Sequence, residues 1–356
     1  MSLIIEGGRV PPRWAERKKR PSGSVESHAE EAECVRIAFI NNMPDTALED
    51  TEMQFFELLE AAASDVPLRV KLYSLSGVPR GERGHGHLNS FYFSTDDLFD
   101  QQFDGMIMTG TEPRQSNLRD EPYWGALADV FDWAECNTVS TVLSCLAAHA
   151  SVLHSDGIKR HPLSDKQFGV FAFTKAGNHE LTSGTGDLVH FPHSRWNEVQ
   201  ADALTACGYL VLTHSVEGGV DSFVKQKQRS LFVHFQGHPE YDAQTLLKEY
   251  RRDIRRFLKR ERETYPPMPK GYFDAAAVKL AADFRELGLS DRREELMEGF
   301  PEAALVGSLQ KTWLSASVSI YRNWLRYVAM KKADASLFPA MVDPYVWGRR
   351  KCSALQ

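Results

Sequence analysis

Three residues carry the most explicit chemistry in this chain: Cys145 in "TVLSCLAAHAS", and His238 with Glu240 in "FQGHPEYD". A run of β-formers ends at Ser144, Cys145 follows at once, and a small-residue helical pattern begins on top of it. A thiol at a helix N-terminus meets unsatisfied backbone N–H groups and the positive end of the helix dipole, and both favour thiolate over thiol. A sharp strand-to-helix turn also holds the side chain out of the packed sheet, as a nucleophile elbow does for serine, and the adjacent amides can serve as an oxyanion hole. His238 and Glu240 follow another strand and are expected at the same sheet edge. Cysteine, histidine and a carboxylate are a nucleophile, a base and an orienter. On residue type alone a buried structural cysteine is the plain alternative. The strand-tip His-Pro-Glu favours the nucleophile.

Other histidines compete less well. His149 lies one helical turn after Cys145 and shares its face, but a helix packed on a sheet makes it more simply a packing or rim residue. His85 with His87, and His190 with His193, lack a convincing third ligand, so no metal site is expected. The five cysteines, Cys34, Cys136, Cys145, Cys207 and Cys352, are scattered and contain no C-x-x-C pair. Separate buried or reactive thiols fit this better than a disulfide framework.

The elements that must position these residues come next. "VRIAFI", "LRVKLYSL", "FDGMIMTG" and "TVSTVLS" read as buried strands separated by helical or loop sequence. That alternation predicts an α/β fold, a mostly parallel sheet flanked by helices, with ligands gathered at the carboxyl ends of its strands. "GVFAFTKAG", "YLVLTHS" and "DSFVKQKQRSLFVHFQGHPEY" predict antiparallel additions. An amphipathic helix follows, with Leu246, Leu247, Tyr250, Ile254, Phe257 and Leu258 as its apolar stripe. Residues 1–34 read as a flexible N-terminal leader, 35–273 as the α/β catalytic domain, and 274–356 as a helical C-terminal extension. That extension reads as two helices, 274–300 and 306–331. Its aromatics suit packing on the domain or a homodimer interface.

Composition excludes several partners. A formal charge of −6, 42% hydrophobic residues and 25% charged residues describe an ordinary globular chain with no electrostatic case for nucleic acid. No apolar run reaches the roughly 18 residues of a membrane span, and no secretory signal pattern opens the chain. A cytoplasmic enzyme acting on small molecules is expected.

The segments "INNMPDTALEDTEMQFFELL", "HLNSFYFSTDDL", "FDGMIMTGTEP", "YWGALADVFDWA", "HSRWNEV" and "GHPEYDAQTLLKEYRRD" resemble the homoserine O-acyltransferases (transsuccinylases). The likeness implies a class I glutamine-amidotransferase-like fold and a role in methionine biosynthesis. It runs from Val35 to Phe273 and returns at Trp313 to Val328. By matching positions, it makes Cys145 the acyl-thioester nucleophile, His238 the proton acceptor and Glu240 the third catalytic residue. It also makes Lys166, Ser194 and Arg252 substrate contacts, with Arg252 turning inward to pair with the amino-acid carboxylate. The oxyanion donors become the backbone N–H groups of Leu146 and of a residue near Gly110–Thr111. No bound cofactor is implied; acyl-coenzyme A is a co-substrate.

The family's donor-selecting position, Gly in succinyl enzymes and Glu in acetyl enzymes, falls on Arg114, which is neither. A guanidinium can pair with the free carboxylate of a succinyl group, so succinyl-coenzyme A is favoured. It can also fill the space and leave room only for acetyl. Serine in place of homoserine stays open as acceptor. So does a glutaminase-type cysteine hydrolase, although "LSCLA" lacks the G-x-C-x-G glycines of glutaminase elbows.

Overall fold

The computed structural model describes residues 3–7, 9–19, 34–64 and 66–337 of the 356. Ten strands among them form one sheet: β1 (Leu3–Ile5), β2 (Val35–Ile40), β3 (Leu68–Tyr73), β4 (Gly105–Met108), β5 (Ser140–Ser144), β6 (His161–Lys175), β7 (Leu188–Glu198), β8 (Leu210–Ser215), β9 (Gly219–Lys227) and β10 (Ser230–Phe235). Their order is β1-β3-β2-β4-β5-β10-β9-β8-β6-β7. Neighbours from β1 to β10 are parallel. The remaining neighbours are antiparallel. The parallel half is made of nearly unbroken apolar strands, as expected for strands covered on both faces.

Side-chain alternation assigns the two faces. Ile37 and Phe39 of β2 point to one side, where they pack with Phe55, Phe56, Ile320 and Trp324. Ala38 and Ile40 point to the other, with Phe131, Leu146 and Ala147. Helices Leu48–Ala62 and Leu314–Leu337 therefore cover one face, while Trp124–Asn137 and Leu146–Asp156 cover its opposite. The last of these is rich in alanine, so it can lie close to the sheet. The amphipathic helix occurs over Thr245–Leu258 and buries its apolar stripe in a separate cluster with Tyr272 and Trp313.

Several expectations are corrected. The leader over 1–34 is folded in two places: β1 pairs in parallel with β3, and helix Pro12–Lys19 buries Trp14 against Phe56. Polar composition hid the sparse anchors Leu3, Ile5 and Trp14. Arg17 and Lys18, within the expected flexible leader, pair with Glu57 and Glu60. Residues 20–33 lie outside the described residues. The expected helix over 274–300 ends at Ser290; a 3-10 turn (Glu294–Gly299) and a short helix (Glu302–Gly307) follow. Pro301, with no N–H to donate, stands at that second break. The second helix of the extension runs over Leu314–Leu337, shifted from 306–331. Among the cysteines, Cys136 is disulfide-bonded, against the expectation of separate thiols, and Cys352 lies outside the described residues.

Register places the functional segments at one level. Met108 of β4 lies opposite Leu143 of β5, and Ser144 lies opposite Phe235 of β10. The chain therefore leaves these three adjacent parallel strands at the same edge, towards Gly110, Cys145 and His238.

Candidate active site

Cys145 joins β5 to helix Leu146–Asp156 with φ 52° and ψ −111°. A non-glycine residue in this region is strained, by about 1–3 kcal/mol, and persists only where its surroundings hold it. Here the Cys145 N–H donates to the Phe235 carbonyl at 2.8 Å, tying the turn to the end of β10. The turn points the side chain away from the sheet and leaves it partly exposed, as a nucleophile requires.

Beyond Phe235 the chain turns through Gln236 and Gly237 to His238. His238 Nδ1 lies 2.8 Å from Glu240 Oε1, and its ring hydrogen-bonds the Cys145 side chain. Burial alone would push the His238 pKa down. The charge on the Cys145 sulfur, and then that of Glu240, outweigh burial and hold it well above the usual value. Glu240 is buried, and Ser144 Oγ donates to its Oε1 at 2.9 Å.

The close approach of the β4 exit to Leu146 depends on a missing side chain. A β-carbon at Gly110 would fall 2.8 Å from both the N and the Cβ of Leu146. Glycine there lets the exit of β4 run against the first amide of the helix, which has no intrahelical acceptor. Gly110, Thr111, Leu146 and Ala147 line one apolar pocket with Tyr123 and Trp124. Asn42 binds the neighbouring strand exits together. Its N–H donates to Thr109 Oγ1 at 2.8 Å, and its Oδ1 accepts from the Leu75 N–H at 3.0 Å.

Beside His238, the positions expected to contact substrate converge on a residue the sequence reading missed, Glu249. Ser194 Oγ donates to Glu249 Oε2 at 2.5 Å, Tyr241 OH to Oε1 at 2.9 Å, and Lys166 Nζ lies 3.4 Å from Oε2. Tyr241 also stacks on His238 at 4.2 Å, linking the two groups of residues. Arg252 is half-exposed at the rim, its Nε donating to Asp253 Oδ1 at 2.9 Å and its charge sensing Glu249 and Glu112. It lines this corner without being buried in it. Glu249 stands three positions before Arg252 on one helix face, the one sequence signal that could have revealed it.

The remaining expected residues lie elsewhere. Arg114 is exposed; its backbone N–H, with that of Gln115, donates to Glu121 Oε1 at 2.5 and 2.6 Å. His149 is buried and its Nε2 lies 2.8 Å from Gln236 Oε1, and burial pushes its pKa down to about 3. It holds the turn before His238 and does not bond the thiol. His193 sits 3.2 Å from Asp221, and His87 sits 2.6 Å from Glu52. Among the described residues no cluster of three or more His, Cys, Asp or Glu side chains could hold a metal, and no helix is long and apolar enough to cross a membrane.

The family model for homoserine O-succinyltransferase matches residues 22–335. The homoserine O-succinyltransferase of Methylorubrum extorquens is 44% identical over 303 residues, covering 85% of this chain and 89% of that one. Those of Rhodopseudomonas palustris and Bradyrhizobium japonicum are 43% and 40% identical, over 83% and 92% of this chain and 88% and 99% of theirs. Among solved structures, a glutamine amidotransferase from Methylobacillus flagellatus is 13% identical with a TM-score of 0.45, over 83% of this chain and 95% of that one. With this match running through the segments that carry Cys145, His238 and Glu240, the chain belongs to the homoserine O-succinyltransferase family.

Proposed function

We propose that the protein moves a succinyl group from succinyl-coenzyme A to the γ-hydroxyl of L-homoserine, through a thioester on Cys145, in methionine biosynthesis. The observation that carries this is the Cys145–His238–Glu240 arrangement beside the Leu146 amide. The His238 imidazole, hydrogen-bonded to the Cys145 side chain, is placed to take the sulfur's proton as the sulfur attacks.

The first half-reaction starts when the Cys145 sulfur attacks the thioester carbonyl. The carbonyl oxygen becomes an oxyanion held by the amides of Leu146 and Thr111. Collapse breaks the bond to the coenzyme A sulfur, which takes the proton from His238. In the second half-reaction His238 accepts the γ-hydroxyl proton of homoserine while that oxygen attacks the enzyme thioester. The bond to Cys145 breaks, the ester leaves, and the proton shared between His238 and the Cys145 sulfur is restored. A positioned base typically contributes 10²–10⁴-fold and an oxyanion donor about 10²–10³-fold. Glu240 holds the imidazole through Nδ1, so Nε2 is the nitrogen that moves protons.

The acceptor is read as lying over Glu249 and Arg252. The Glu249 carboxylate suits the α-ammonium of an amino acid, and the Arg252 fork suits its carboxylate. The test is intact-mass measurement with succinyl-coenzyme A alone, then with homoserine, serine or glutamine added. A succinyl adduct on Cys145 that homoserine discharges is the expected result. Glutamine hydrolysis without any adduct would overturn the transferase reading, and discharge by serine in preference to homoserine would overturn the acceptor.

A further inference from the structure

The turn that carries His238 is fixed one amide at a time. The antiparallel ladder between β9 and β10 ends with Phe235 opposite Ser222. Beyond it the Gln236 N–H donates to the Asp221 carbonyl at 2.8 Å, and the Gly237 N–H donates to Asp221 Oδ1 at 3.1 Å. The His238 N–H then donates to the Pro192 carbonyl at 2.8 Å. Asp221 therefore takes two successive amides, one with its backbone and one with its side chain. A β-carbon at Gly237 would fall 2.6 Å from both Asp221 Oδ1 and His193 Nε2, so any side chain there would push the carboxylate and the ring away.

Asp221 is a fully buried acid that the reaction steps above do not use. A carboxylate withdrawn from water is costly unless hydrogen bonds and charge answer it. Its Oδ2 accepts from Thr213 Oγ1 at 3.3 Å, and His193 Nε2 lies 3.2 Å from its Oδ1. Behind the ring, Arg195 Nε donates to His193 Nδ1 at 3.2 Å. The other two guanidinium nitrogens donate to the carbonyls of Asn197 at 2.8 Å and Gly218 at 2.7 Å. A ring nitrogen that accepts from a guanidinium carries no proton. Burial holds the His193 pKa down at about 4, so the ring is neutral with its proton on Nε2, towards the carboxylate. The buried Arg195 and Asp221 charges thus face each other through a neutral imidazole. Every member of this series is held from both sides.

We propose that Asp221, aligned by His193 and Arg195, is a positioning residue for the base: it fixes the Gly237 amide and thereby the place of the His238 ring between Glu240 and Cys145. The inference rests on the reading of Cys145 and His238 as nucleophile and base. Asp221 touches no reacting atom and acts only through the turn. Two properties of its carboxylate then separate. The oxygen that accepts from Gly237 serves the rate, and the negative charge that answers Arg195 serves stability.

The experiment compares Asp221→Ala and Asp221→Asn with wild type. It measures kcat and KM with succinyl-coenzyme A and homoserine, the rate of Cys145 alkylation by iodoacetamide, and thermal melting. Asp221→Ala should lower kcat about 10- to 100-fold with both KM values kept, the effect of losing a charge-assisted hydrogen bond that places the base. Alkylation, which needs Cys145 and His238 but no acyl donor, should slow about 3- to 10-fold. Asp221→Asn keeps an oxygen for the Gly237 N–H but not the charge, so it should recover most of kcat while melting as low as Asp221→Ala. If Asp221→Ala does not fold, His193→Gln loosens the carboxylate without touching Gly237 and should lower kcat about 3- to 10-fold at unchanged KM. Wild-type kcat in a folded Asp221→Ala or His193→Gln protein overturns the assignment. So does a loss confined to the KM for homoserine, which would tie the series to Ser194 and Glu249 through β7. If wild type is alkylated at Cys145 yet forms no succinyl adduct, the thioester reading fails, and slower alkylation of Asp221→Ala still supports the positioning role. A normal wild-type adduct with unmoved kcat and alkylation in the variants removes only the role of Asp221.

Discussion

Ser144 and His238 meet on one oxygen: the Ser144 hydroxyl donates to Glu240 Oε1 at 2.9 Å, and His238 Nδ1 lies 2.8 Å from the same atom. Among the described residues Glu240 Oε2 has no hydrogen-bond partner, so Ser144 is the side chain that orients the carboxylate from the far side of the imidazole. The residue immediately before the nucleophile thereby sets the group that sets the base. Ser144→Ala is expected to lower kcat about 3- to 10-fold, with little change in either KM, since one neutral hydrogen bond is worth about 1 kcal/mol. The pH–rate profile should shift with it. A fall in thermal stability at constant kcat would make Ser144 a packing residue only.

The His238 imidazolium is maintained by its neighbours against its own burial. Removing the sulfur charge in Cys145→Ala should therefore lower the His238 pKa, and Glu240→Gln should lower it as well. Because the folded value is raised, the stability drawn from this pairing is complete below about pH 6.5, the usual histidine value, and is lost as pH rises through the folded value. NMR titration of the imidazole in wild type and Cys145→Ala measures the direction directly. An unmoved titration would show that the sulfur carries no charge at rest.

Gly110 has no room for a β-carbon beside Leu146. Gly110→Ala must displace either the β4 exit or the first amide of the helix. It should reduce the rate of acyl-enzyme formation by about 10²-fold or more, the scale of one lost oxyanion donor. Stopped-flow release of coenzyme A gives this rate, and circular dichroism separates it from unfolding. Wild-type rates in a folded variant would place the oxyanion site elsewhere.

Glu249 gathers Ser194, Tyr241 and Lys166 on one carboxylate. Glu249→Gln keeps the shape and removes the charge, so the KM for homoserine should rise about 10- to 100-fold while adduct formation from the donor persists. Arg252→Ala should behave in the same way. Equal losses in both half-reactions would instead tie Glu249 to the placement of Tyr241 and His238.

The grouping of Cys145, His238 and Glu240 was legible in the chain because each is announced locally. Cys145 stands where a β-pattern becomes a helical one, and His238 and Glu240 follow an apolar strand within three residues of each other. The parallel core was legible for the same reason, since strands covered on both faces must be apolar along their length. Less was legible at the amino end, where β1 is three residues long and helix Pro12–Lys19 is polar around a single buried tryptophan.

The sequence by itself therefore determined that Cys145, His238 and Glu240 meet at one sheet edge, because backbone pattern and strand direction are short-range properties. Only the tertiary structure decided how those groups are held. Ser144 reaches Glu240 across 96 positions of chain, Ser194 reaches Glu249 across 55, and Asn42 reaches Thr109 across 67. Such pairings have no sequence period, since they depend on which strands become neighbours and at what register. The same holds for Arg114. It follows a strand end and looked poised for the acyl group, yet a carboxylate pins its backbone and leaves it in water.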